Sequence, residues 1–274
     1  MATKVRRRGK KRPTKSRSKR DVDVAAVEAK IFDVTESSPY VRLLCYGPNG
    51  KGKTRLGASF PNPLIIDINE EGTRSAAGYK GAKVYPCGDW DDLSAVYWYL
   101  HKGNHPYDTV VIDTLTQMQV LAMRQVMGEK VIRDPDADPD SPRIQDYGTA
   151  NTKMGDLILR FRNLPMHVVF LAQERTVGDP DEGEEVLTTV DLPNGSRKFA
   201  TGAVGIIGRI YHREVKTKNK QGKRRTSWQT AMLVGPHDEY TTKDRTNNLG
   251  RIAPMPDGSM IIKAWEDWAA NEEE

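Results

Sequence analysis

The run GPNGKGKT (47–54), set between the apolar YVRLLCY (40–46) and the short RLGASF (55–60), dictates much of the architecture around it. It fits G-x-x-x-x-G-K-[ST] in full, and that pattern works only where a buried strand ends in a glycine loop that opens a helix. Gly47, Pro48, Asn49, Gly50, Lys51 and Gly52 make up the loop, whose glycines let backbone N–H groups turn inward onto phosphate oxygens. Lys53 is then placed to neutralise β- and γ-phosphates, and Thr54 to ligate Mg2+. A nucleoside triphosphate is the expected ligand, although no base-reading motif separates ATP from GTP.

The remaining apolar runs repeat the same logic. LIIDI (64–68) reads as a second strand, AKVYP (82–86) as a candidate third, TVVID (109–113) as a buried strand and HVVFLA (167–172) as another all-apolar one. Between them lie helical patterns at 90–100, where Leu93, Val96, Tyr97 and Leu100 share one face, from 115 onward, and near 149–164. Strands alternating with helices predict an α/β fold with a mostly parallel sheet covered on both faces. Beyond residue 205 the texture changes to IGRIYHREVKT and RRTSWQTAMLV around KNKQGK, which predicts a β-hairpin over about 206–234. LPNG (192–195) reads as a turn, Ile261 and Ile262 as a short strand, and AWEDWAA as helical. The expected organisation is a basic tail over 1–24, a core over 38–252, and a strand, helix and acidic end over 253–274.

Charge is distributed unevenly. Residues 1–20 hold 11 of the 42 Lys and Arg and no acid, so the rest has 31 basic against 37 acidic residues, a net of −6. A run so poor in apolar residues cannot offset its ordering entropy by burial, and it is expected to be disordered alone. Its cations, among them Arg6, Arg7, Arg8, Lys10, Lys11 and Arg12, suit a phosphate backbone. A second basic cluster lies at the hairpin tip, with Lys216, Lys218, Lys220, Lys223, Arg224 and Arg225. Tyr211 and Trp228 beside it either stack on bases or form the hairpin's packed face. The chain has no apolar run of the roughly 20 residues a membrane span requires. A cytoplasmic protein with no membrane partner is expected. Cys45 and Cys87 have no metal-type spacing and are expected to be buried, reduced thiols.

Three further positions bear on catalysis. Asp113 closes a buried strand, where it either holds Mg2+ beside the P-loop or caps the next helix. Glu70 and Glu71, in the turn after LIIDI, are each able to orient or deprotonate an attacking water. Gln173, ending HVVFLA at the edge where open α/β sheets bind ligands, is the candidate sensor of a γ-phosphate.

With GPNGKGKT, IIDINEEG, TVVIDT, HVVFLAQE and TKDRTNNLG in this order, residues 38–252 resemble the bacteriophage RecA-like AAA ATPases known as the Sak-four single-strand annealing and recombination family. The resemblance implies a RecA-like core, ATP with Mg2+, binding to single-stranded DNA, and self-association into a ring or filament with nucleotide at subunit interfaces. It also implies that Lys243 and Arg245 in TKDR reach the γ-phosphate of a neighbouring subunit. The chain departs from that pattern in its loops, since DPDADPDSP (134–142) and GDPDEGEE (178–185) stand where such proteins face DNA. Acidic loops repel phosphate, which shifts the expected DNA contact to the tail and hairpin. Two other functions use the same P-loop: a non-catalytic nucleotide-binding replication accessory, and a helicase or packaging motor.

Overall fold

The computed structural model describes residues 24–29, 31, 39–69, 71–218 and 224–271. By internal contacts the chain divides into residues 1–37 and 38–274. The first unit contributes one short described helix, α1 (Val24–Glu28), and the basic tail read at 1–20 lies outside the described residues.

In the second unit the first five strands are β1 (Arg42–Tyr46), β2 (Pro63–Ile68), β3 (Lys83–Cys87), β4 (Thr109–Asp113) and β5 (His167–Ala172). Next come β6 (Glu174–Val177) and β7 (Leu187–Val190), a separate two-stranded ribbon around the acidic 178–185 loop. The chain then forms β8 (Ile206–Lys218), β9 (Arg224–Leu233), β10 (Lys243–Asp244) and β11 (Ile252–Pro254). Its helices are α2 (Lys53–Ala58), α3 (Trp90–His101), α4 (Leu115–Arg133), α5 (Ile144–Arg162), α6 (Asn194–Ala203) and α7 (Gly258–Asn271). The main sheet runs β3-β2-β4-β5-β1-β8-β9-β11, with β10 paired to β8. Its first six strands are mutually parallel, and β9, β10 and β11 are antiparallel additions.

Both faces of this sheet are covered, as the unbroken apolar strands predict. Leu44, Tyr46, Ile66 and Ile112 pack with buried residues of α3, α4, α5 and α6 on one side. Leu43, Cys45, Ile65 and Val111 pack with α2 and α7 on the other. The predicted hairpin is present, and only its root belongs to the parallel sheet. Residues 206–209 of β8 pair with β1, while 210–218 continue with β9 alone. At about 3.3 Å per residue this arm projects roughly 30 Å past the end of β1.

Two local expectations are corrected. Ile261 and Ile262 lie in α7, not in a strand: Asp257 accepts from Met260 N–H at 2.8 Å, starting a helix that buries Ile261, Ala264 and Trp265. Their spacing of three and four is helical, and a two-residue window could not reveal it. LPNG opens α6 rather than a simple turn. That helix is built from Gly, Ser and Thr, poor helix formers whose small size admits close packing. A Cβ on Gly155 of α5 would strike the Phe199 ring, and Ser196 donates to Gln119 at 2.5 Å and Asn151 at 2.9 Å. Tertiary contact, not propensity, makes this helix.

Arg42 closes the opposite end of the sheet. Its guanidinium donates to the carbonyls of Arg162 (2.5 Å), Met166 (2.6 Å), Leu164 (2.8 Å) and Val41 (3.2 Å), satisfying the chain where α5 turns into β5. Burial, and then the charge of Arg162, push its pKa down to about 10. Arg42→Ala strands those carbonyls. We expect a loss of about 2–3 kcal/mol, read as a thermal midpoint lower by roughly 5–10 °C. An unchanged midpoint would show that solvent replaces the clamp.

Candidate nucleotide site

The P-loop leaves β1 at Tyr46 and enters α2 at Lys53. Geometry calls for all three of its glycines, Gly50 with φ 73° among them. A Cβ at Gly47 would collide with the Ile210 carbonyl of β8, and Gly52 has φ 100°, in the left-handed region. Pro48, Asn49, Gly50 and Lys51 form the crest between them, with Asn49 and Gly50 exposed.

Lys53 is buried, and its ammonium donates to the carbonyls of Gly47 (2.9 Å) and Pro48 (3.0 Å) and to Gln173 Oε1 (3.0 Å). Thr54 Oγ1 donates to Asp113 Oδ2 at 2.6 Å. Strand order explains the convergence. β5 lies between β1 and β4, so Leu171 is level with both Cys45 and Asp113. Gln173, two residues further on, emerges beside Lys53. Asp113 itself does not cap α4; Thr114 does, accepting from Gln117 N–H.

These groups fit a magnesium triphosphate. Lys53 and the loop N–H groups suit phosphate oxygens, while Thr54 and Asp113 offer hard oxygen donors. Among the described residues no group of three or more His, Cys, Asp or Glu forms a metal cage. Burial pushes the thiol of Cys45, just behind the loop, up to about 12. Cys87 is likewise pushed up to about 12 by burial, and both thiols are free.

Glu70 lies outside the described residues. Glu71 begins a 3-10 turn (Glu71–Ala76) whose backbone returns to the P-loop: a Cβ on Gly72 would stand 3.3 Å from Thr54 Oγ1. Asn69, with φ 53°, makes the bend. The sequence reading missed Asp67. It is level with Asp113 on the adjacent strand, and strand alternation sends both toward the α2 side. One signal was available, since LIIDI and TVVID are each interrupted by a single carboxylate. Also missed was Arg209, which binds Glu174 through two nitrogens (2.8 and 3.3 Å) and lies 4.5 Å over the Tyr240 ring, next to Gln173.

Lys243 and Arg245 are not brought to the P-loop of their own chain. Lys243 donates to the carbonyls of Val204 (2.7 Å) and Thr201 (3.4 Å) at the end of α6, and burial, then Arg245, lower its pKa. Arg245 N–H pairs with Gly205, which pairs with Arg42. It is thus about four strand steps, roughly 13 Å, from the level of the P-loop.

Of the proposed nucleic-acid contacts, Arg6, Arg7, Arg8, Lys10, Lys11, Arg12, Lys220 and Lys223 lie outside the described residues. Lys216 is on the outer arm, 4.0 Å from Glu214. Lys218 ends β8, and Arg224 and Arg225 begin β9, so the arm carries all four positions at its far end. Among the described residues no helix is long and apolar enough to cross a membrane.

A family profile described as AAA domain matches residues 40–246. Among solved structures, the flagellar accessory protein FlaH from Methanocaldococcus jannaschii is similar at 9% identity. That likeness covers 76% of this chain and 83% of FlaH, with a TM-score of 0.32. No match is found among curated proteins.

Proposed function

The chain belongs to the AAA domain family, and we accordingly propose that it hydrolyses ATP and binds single-stranded DNA, promoting annealing or homologous recombination in phage DNA metabolism. The observation that carries the ATPase half is the meeting of Lys53, Thr54, Asp113 and Gln173 at one end of three adjacent strands. Thr54 and Asp113 would hold Mg2+, which when bound neutralises charge on the β- and γ-phosphates. Lys53 exchanges its loop carbonyls for phosphate oxygens. Gln173, whose Oε1 accepts from Lys53, donates its amide N–H to the γ-phosphate, a role that this contact supports. Glu70 or Glu71 orients the attacking water. Lys243 and Arg245 act on the nucleotide of a neighbouring subunit in a ring or filament.

What supports the DNA half is the segregation of charge. The tail and the arm's far end are basic, whereas the loops at 134–142 and 178–185 are acidic. A dense run of cations and a projecting arm suit a strand whose backbone can follow them.

ATP turnover is expected to rise when single-stranded DNA is added. Purified protein with no turnover under either condition would sink the enzymatic reading. Removing residues 1–20 is expected to weaken DNA binding and to flatten its dependence on log salt, by about 0.7 for each phosphate that the tail had neutralised. If the slope does not change, the tail is outside the interface.

A further inference from the structure

A cleft of about 560 Å3 adjoins the P-loop between α2, the β8–β9 arm and the segment that leads into α7. Gly52, Arg55 and Ser59 line one wall, Trp228 and Thr230 face them, and Met255 borders the opening. Arg55 and Ser59 are four apart on α2 and share a face.

Its position follows from the polarity of the site. Lys53 meets Gln173, and Thr54 meets Asp113, on the β5–β4 side of β1, which marks where the γ-phosphate and its metal belong. The other end of the triphosphate therefore leaves the loop toward β8 and β9, on the opposite side of β1. The cleft is there, and Gly52 belongs to both loop and cleft.

Among the described residues Trp228 belongs to neither buried apolar cluster. Strand alternation puts Trp228, Thr230 and Met232 on one face of β9. Met232 is fully buried, and a Cβ on Gly52 would meet the Thr230 methyl at 3.8 Å. Trp228, the next residue outward on that face, remains 71% exposed. Beside that wall Met255 is also exposed, its N–H donating to the Thr230 carbonyl at 2.8 Å. Two large apolar side chains thus border a cleft that begins at a phosphate loop.

We propose that this cleft receives the base and sugar of the bound nucleotide, with a purine stacked on Trp228; the proposal rests on the nucleotide-binding reading above. The size suits a nucleoside, since small-molecule pockets run from about 300 to 1,000 Å3. A two-ring base covers more of the indole face than a pyrimidine does. Arg55, exposed at the α2 wall, is available to the sugar and the α-phosphate.

Affinities of the full chain for Mg-ATP and for Mg-tripolyphosphate, which lacks base and sugar, provide the test. Trp228→Ala is expected to weaken ATP binding roughly tenfold and to leave tripolyphosphate binding unchanged. Trp228→Phe is expected to recover most of the loss. The proposal is overturned if Trp228→Ala binds ATP like the wild type, including the case in which it loses only single-stranded DNA, or if both ligands weaken equally. Wild-type protein that binds neither ligand would overturn the nucleotide reading itself, a result distinct from a failure confined to Trp228.

Discussion

Lys53→Ala is expected to lower ATP turnover by about a thousandfold, the scale on which preorganised charge at a reacting phosphate acts. Lys53 is the residue on which the rest of the site converges. Its ammonium is held by two loop carbonyls and by Gln173, so it stands ready for phosphate without having to leave water at the moment of binding. Alanine removes the positive charge and also releases Gln173 from its anchor, so charge compensation and γ-phosphate sensing fail together. Folding should survive, because α2 and the loop glycines do not depend on the ammonium; the hydrogen bonds removed are worth about 1–2 kcal/mol. Steady-state turnover beside a thermal melt checks both halves. Wild-type turnover in this variant would remove Lys53 from the active site, whereas inactivity accompanied by unfolding would assign it a structural role.

Arg245→Ala is expected to cut turnover by about 10^3-fold or more while ATP binding stays close to wild type, as when a cation supplied from a neighbour is removed. The fold makes this a test of assembly. Arg245 lies beside Gly205 at the start of β8, away from the P-loop of its own chain, and lines a separate basic cleft with Arg42 and Arg162. A loss of turnover with ATP binding kept is the result expected of a cation that acts on a neighbouring subunit. Mixing Arg245→Ala with Lys53→Ala protein is expected to restore part of the activity, because one mixed interface would combine an intact Lys53 with an intact Arg245. Absence of rescue with assembly shown to be normal would place Arg245 outside the reaction. Lys243 is a poorer reporter, since its ammonium already caps α6 and its loss mixes stability with catalysis.

Much of the parallel sheet could be read from the chain alone, and the residues explain why. RLLCY, TVVID and HVVFLA are short, apolar and flanked by turn formers, so each declares a strand buried on both faces. The hairpin likewise announced itself through alternation around KNKQGK. Elements whose cohesion is tertiary did not. α6 has three small buried residues, Ser196, Ala200 and Ala203, and no apolar stripe, so only its fit against α5 reveals it. β6 and β7 were not read from the sequence, where only the acidic loop between them stood out. Ile261 and Ile262 looked like a strand because their helical partners, Trp265 and Trp268, come later in the chain.

The P-loop was legible in the chain alone, because its backbone shape and its charge both sit in consecutive residues, Gly47 through Thr54. Asp113 and Gln173 likewise stood out as polar ends of apolar strands. Their meeting is a tertiary fact. Nothing local encodes that β5 inserts between β1 and β4, yet that order puts Gln173 on Lys53 and Asp113 on Thr54. The same order sends Lys243 and Arg245 away from their own loop, brings Asp67 level with Asp113, and hangs Trp228 beside Gly52. Strand neighbours are chosen by burial of whole faces across the sheet, a property of the assembled core and not of any single segment.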